Sequence, residues 1–210
     1  MPSFVRAILI LYTGLLVLGI GMGGWWYLEG SKHAERRAQG ATSGVAAIGG
    51  PFALVDQEGR PRTSADFQGS YMLVYFGYTY CPDVCPTGLQ NITLALDLLA
   101  KQDPDKAAKV VPIFITIDPE RDTPAVLAAY AANFHPRLVA LTGTLAQTSQ
   151  AAKNYRVYYK KILDEGSAAY LMDHSSFIYL MDPTGAYVSH YTHLTRPEEI
   201  AKSLEEQVTD

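Results

Sequence analysis

Two hydrophobic patterns divide the chain. Residues 7–28 contain no charged side chain, and as a helix rising about 1.5 Å per residue they would extend about 33 Å, enough for a hydrocarbon core of roughly 30 Å. The stretch predicts one retained membrane anchor ending in an aromatic belt at Trp25, Trp26 and Tyr27. The competing cleaved signal peptide has an apolar part of only about 7–15 residues. Residues 1–6 are then a cytoplasmic stub. Residues 29–50 are polar, then rich in Gly, Ala and Ser, without helix or strand periodicity, and predict a flexible tether.

From 51 to 210 the pattern is that of one folded domain. Residues 52–55 and 60–63, separated by Asp56-Gln57-Glu58-Gly59, predict a short hairpin. Residues 71–76 are β-prone and apolar at successive positions, as in a central strand covered on both faces. After Pro86, the residues Leu89, Ile92, Leu96 and Leu99 recur at helical spacing, and Asp103-Pro104 ends that helix. A second buried strand is expected at 110–117, a helix at 124–134 with Val126, Leu127 and Tyr130 inward, a strand at 137–142 and a helix at 146–155. Strands at 177–181 and 187–191 flank the turn Asp182-Pro183-Thr184-Gly185. Thr195 with Glu198 predicts a capping box for a last helix reaching Val208. This alternation implies an α/β sheet domain.

Charge narrows the partners. From residue 50 onward there are 13 basic and 19 acidic residues, and an acidic body without a basic stripe argues against nucleic acid. Lys32, Arg36 and Arg37 follow the apolar stretch while Arg6 precedes it, a balance that by the positive-inside tendency favours a cytoplasmic domain. No Arg- and Ser-rich transit peptide precedes the stretch and no cysteine lies near it. A bacterial inner-membrane protein is therefore expected rather than an imported organelle protein or a lipoprotein.

The candidate chemistry is concentrated at Gly77-Tyr78-Thr79-Tyr80-Cys81-Pro82-Asp83-Val84-Cys85-Pro86, which holds the only two cysteines. The pair lies where a strand gives way to a helix, and a helix N-terminus favours the thiolate. A four-residue separation places the Cα atoms roughly 6 Å apart, within reach of a disulfide. The same pair can supply half of a low-coordinate site for soft Cu(I). Zn²⁺ usually completes a tetrahedron, and no fourth partner is evident. Among the histidines, His33 falls in the tether, His135 suits a cap or surface role, and His190 and His193 lie at a strand end. His174 stands at the entry to strand 177–181 after a long loop, and spacing leaves it open between a surface histidine and a ligand.

Taken with Asp118-Pro119-Glu120-Arg121-Asp122-Thr123-Pro124 and Asp173-His174-Ser175, the cysteine segment resembles the Sco/SenC family of membrane-anchored copper chaperones, from about Phe52 to the C-terminus. The resemblance implies a thioredoxin-like fold with a central mixed sheet flanked by helices, behind one transmembrane helix and facing the periplasm. It places copper, as Cu(I) and also Cu(II), on Cys81, Cys85 and His174, with Asp173 beside them to orient the imidazole. It implies the copper-site subunit of cytochrome c oxidase as recipient, with other periplasmic copper carriers or thiol reductants as further partners. Asp118 to Pro124 would shape a loop near the site, with Arg121 and Asp122 serving a structural turn.

A periplasmic thiol-disulfide oxidoreductase, using Cys81 and Cys85 as a redox pair, is the rival reading. The spacer of three residues, and Asp173-His174-Ser175 where thioredoxin-type enzymes carry a proline, favour a metal site over that enzyme. A peroxidase with a resolving cysteine is a more distant alternative.

Overall fold

The computed structural model describes residues 48–163 and 170–209. The anchor expected at 7–28 and most of the tether lie outside the described residues. Among the described residues, no helix is long and apolar enough to cross a membrane.

In the domain, β1 (Ala53–Asp56) and β2 (Pro61–Thr63) form the predicted hairpin. Strand β3 (Tyr71–Gly77) leads into helix α1 (Val84–Gln102), followed by the short α2 (Pro104–Ala108), β4 (Val110–Thr116) and α3 (Pro124–Ala131). Strand β5 (Val139–Thr142), α4 (Leu145–Asn154), β6 (Tyr159–Leu163), β7 (Tyr170–His174), β8 (Phe177–Met181), β9 (Tyr187–Thr192) and α5 (Pro197–Gln207) complete the order. Seven strands form one sheet in the order β2-β1-β5-β4-β3-β8-β9. β3 pairs in parallel with β4 and β4 with β5, whereas β8 runs antiparallel to β3. This is the mixed, thioredoxin-like sheet that the resemblance implies.

The β3 run is apolar throughout because all seven residues are buried. Leu73, Val74, Tyr75 and Phe76 expose nothing, nor do Ile113, Phe114 and Ile115 of β4. Each fully buried aliphatic side chain contributes roughly 1.5–3 kcal/mol, so these two strands make a rigid base for the loops at their C-terminal ends. Leu89, Ile92, Leu96 and Leu99 present the buried face of α1, as their spacing predicts. Along α1 lies α5, whose Ile200, Ala201 and Leu204 are buried.

Three expectations are corrected. Val126 is exposed, while Leu127 is fully buried and Tyr130 packs against the core, because α3 ends after Ala131 and turns a narrower face inward. Thr195 does not cap the last helix. Its hydroxyl accepts from the Thr192 amide, Arg196 takes the cap position without a side-chain bond, and the helix begins at Pro197. The long loop before strand 177–181 contains a separate two-stranded sheet of β6 and β7, in which Tyr159 pairs with His174.

Candidate metal site

The site is built at the C-terminal end of β3, where the chain leaves the sheet, passes Cys81 and enters α1 at Val84. Cys85 lies in the first turn of α1 and exposes nothing, while Cys81 lies just before the helix and is partly exposed. The Cys85 amide donates to Cys81 Sγ at 3.4 Å, so one free helix-terminal N–H is satisfied by sulfur. Gly77 leaves room for the Cys85 side chain against β3. A Cβ on it would stand 2.7 Å from Cys85 Sγ and 2.9 Å from the Phe114 ring.

His174 arrives from the end of β7 and not from a loop. Its Nε2 lies 3.4 Å from Cys85 Sγ, across 89 residues of sequence. The ligand atoms of Cys81, Cys85 and His174 all lie within 4.8 Å of one another, and they form the only such group of His, Cys, Asp and Glu among the described residues. His174 Nδ1 is 3.0 Å from the Ser175 carbonyl oxygen. A carbonyl only accepts, so Nδ1 carries the proton and leaves the Nε2 lone pair facing the sulfurs. Asp173, the residue expected to orient the ring, is exposed at the mouth of the site. The Tyr78 ring meets the imidazole edge-on, with centroids 5.9 Å apart.

The two thiols are differentiated. The Cys85 S–H hydrogen bond, with the amides of Asp83 and Cys85 behind it, holds Cys81 well below the ordinary thiol range. Being the donor to Cys81, and buried, pushes the Cys85 thiol up. The metal-free pair therefore carries one thiolate and one shared proton. Because the thiolate is the nucleophile, iodoacetamide at about pH 6, below the usual thiol value of about 8.5, is expected to alkylate Cys81 and spare Cys85. Peptide mass spectrometry reads the result, and equal labelling of both would contradict this assignment.

The Asp118 to Pro124 loop does more than turn. Asp122 is fully buried, accepting from the Thr79 amide at 3.1 Å, the Thr79 hydroxyl at 2.6 Å and the Thr116 hydroxyl at 2.6 Å. It ties the segment entering Cys81 to the end of β4. Arg121 donates to Asp118 and, at 2.9 Å, to the Tyr170 carbonyl, with its guanidinium 3.7 Å from the Tyr170 ring centroid and 4.6 Å from that of Tyr80. Tyr170 returns a hydrogen bond to Asp118 at 2.7 Å, and Lys161 pairs with Glu120 at 2.7 Å. These contacts hold the β6–β7 hairpin, and therefore His174, against the cysteine loop. Tyr170 is a positioning residue that sequence reasoning missed, and Arg121, expected only to serve a turn, is a second. The β-prone Tyr159 and Tyr170 runs on either side of Asp164-Glu165-Gly166 are the hairpin signal that could have revealed Tyr170.

The other histidines lie in different settings. His135 is buried and its Nδ1 accepts from the Arg137 amide at 3.1 Å, a local structural role. His190 stacks edge-on against Phe177 and bonds the Tyr187 hydroxyl. The His193 amide donates to the Ser176 carbonyl. His33 lies outside the described residues.

The donor set suits copper. With metal–ligand bonds of about 2.0–2.3 Å, ligand atoms around a trigonal ion stand roughly 3.5–4 Å apart, so closure asks for shifts below about 1 Å. Two thiolates and an imidazole are soft to borderline donors, and the group is able to bind copper. The site opens to solvent through a cavity of about 280 Å³ lined in part by Tyr78, Ile162 and Leu171.

Residues 40–209 match the family model described as SCO1/SenC. The chain is 40% identical over 204 residues to mouse Protein SCO2 homolog, mitochondrial, covering 94% of this chain and 79% of the relative. It is 38% identical over 208 residues to a SCO2-like protein of Rickettsia felis, covering 97% and 98%. Among solved structures, Bradyrhizobium japonicum ScoI with copper bound is 45% identical with a TM-score of 0.69, covering 76% of this chain and 99% of that one. Yeast Sco1 with copper bound is 38% identical with a TM-score of 0.69, covering 78% and 89%.

Proposed function

As the chain belongs to the SCO1/SenC family, we propose that it is a copper metallochaperone that delivers copper to, or helps mature, a copper centre of cytochrome c oxidase. The observation that carries this reading is the convergence of Cys81, Cys85 and His174 within 4.8 Å. The kinship with copper-bound Sco structures supports copper as the cargo.

The two cysteines and the imidazole hold the ion at the inner end of an open cavity, and a recipient's ligands attack from the mouth. At neutral pH, loading displaces the proton that Cys85 retains, so Cu(I) affinity falls as pH falls. Oxidation of the dithiol to a disulfide removes both sulfur ligands and ejects the cargo. The same pair supports a second reading, a thiol-disulfide oxidoreductase acting on the oxidase subunit, favoured by the acidic, partly exposed Cys81 beside a protonated partner.

In cells lacking the native copy, His174→Ala is expected to leave oxidase copper content as low as in the deletion strain, although the purified variant retains disulfide exchange. Full restoration by this variant would sink the chaperone reading and leave the oxidoreductase. We place the domain in the bacterial periplasm behind an anchor at 7–28. Alkaline phosphatase fused after Gly50 is then active, and an inactive fusion overturns that placement.

A further inference from the structure

We propose that the Met172 thioether is an auxiliary ligand for Cu(I) at this site, a fourth soft donor beside Cys81, Cys85 and His174. The inference rests on the copper-chaperone reading and deepens it.

Strand β7 alternates, with Met172 buried between the exposed Leu171 and Asp173, so Tyr170, Met172 and His174 share the face turned toward the cysteine loop. Tyr170 on that face is clamped by Arg121 and His174 meets Cys85, and Met172 stands between them. It lines the same cavity as Cys81, Val84 and His174, and its backbone sits beside the Tyr78 hydroxyl. Residues two apart on a strand have Cα atoms about 6.6 Å apart. A methionine side chain, unbranched and with three rotatable bonds, can lean along the strand toward its neighbour in the shared cavity.

The chemistry distinguishes this sulfur from its neighbours. A thioether is neutral, carries no proton to displace and is soft, so it adds affinity for Cu(I) and little for the harder Cu(II). During delivery one bond, Cu–N to His174, breaks while the recipient's donor forms another. Met172 keeps the ion at three or more donors throughout, and neither copper nor sulfur changes oxidation state.

The test uses the full-length protein labelled with selenomethionine and loaded anaerobically with Cu(I). X-ray absorption at the selenium edge is expected to show a copper neighbour at bonding distance. The five methionines of the chain are resolved by Met172→Leu, which should abolish that signal, weaken Cu(I) affinity roughly tenfold against a chromophoric chelator and leave Cu(II) affinity unchanged. Copper-loaded parent protein without a selenium–copper neighbour overturns the inference and leaves the chaperone reading standing, as does parent-like Cu(I) affinity in a folded Met172→Leu. A parent that binds no copper overturns both. The selenium measurement on the parent stands even where the variant fails to fold.

Discussion

His174→Ala is expected to weaken Cu(I) binding by more than about 100-fold while shifting the melting temperature by no more than about 2–4 °C. The first figure follows because partners that merely orient a ligand are typically worth 10–100-fold in metal affinity, and His174 supplies the donor itself. The second follows from its surroundings. The imidazole is only partly buried, at the end of a two-stranded sheet, and its hydrogen bond to a protein acceptor goes to the adjacent Ser175 carbonyl. Its loss costs on the order of 1 kcal/mol, which in a domain of this size moves the transition by about 2–4 °C. Cys81→Ala should behave alike, since Cys81 is partly exposed, whereas any change at the fully buried Cys85 also disturbs the core beside Gly77 and Phe114. Competition with a chelator of known affinity, paired with thermal melts, separates the two effects. Parent-like affinity in both His174→Ala and Cys81→Ala would refute the assigned site.

The largest stability effect is expected at Asp122. Asp122→Ala removes the acceptor of three hydrogen bonds in a buried position and leaves the Thr79 amide and the Thr79 and Thr116 hydroxyls to find others. Each orphaned buried group costs about 1–3 kcal/mol. A total near 3–5 kcal/mol lowers the melting temperature by about 6–20 °C. Copper affinity should fall as well, because Thr79 leads the segment that positions Cys81. Burial pushes the Asp122 carboxyl up, against the lowering effect of the Thr116 and Thr79 hydrogen bonds. A carboxyl with a raised native value binds its proton more tightly when folded, so its contribution declines as pH rises from the unfolded value of about 3.9 through the native one. Asp122→Asn keeps one acceptor oxygen and cannot ionise. It should be milder than alanine and should lose that part of the acid-side pH dependence of stability. A melt of Asp122→Ala indistinguishable from the parent would show that the staple carries no weight.

Much of the fold was legible because its strands and helices have opposite periodicities. The unbroken apolar run of β3 reads as a strand covered on both faces, and the recurrence from Leu89 to Leu99 reads as one stripe of a helix. The β6–β7 pair was missed although β-prone runs flank Asp164-Glu165-Gly166, because every residue of β6 is at least partly exposed and no buried face imposes an alternation on it. The cap at Thr195 was misread because a threonine preceding a helix also serves a turn, and here the Thr192 amide claims its hydroxyl.

The sequence by itself determined the chemical capacity of this protein: two thiols at the junction of a buried strand and a helix, and a histidine far along the chain. It also carried the family kinship, in three separated motifs. The motifs named His174, but only the tertiary structure decided how closely its imidazole approaches the sulfurs, which of its nitrogens is free, and that Arg121 clamps the strand pair delivering it. The reason is physical. Periodicity records whether a residue faces water or core within its own element, whereas a contact closed across 89 residues depends on how separate elements pack.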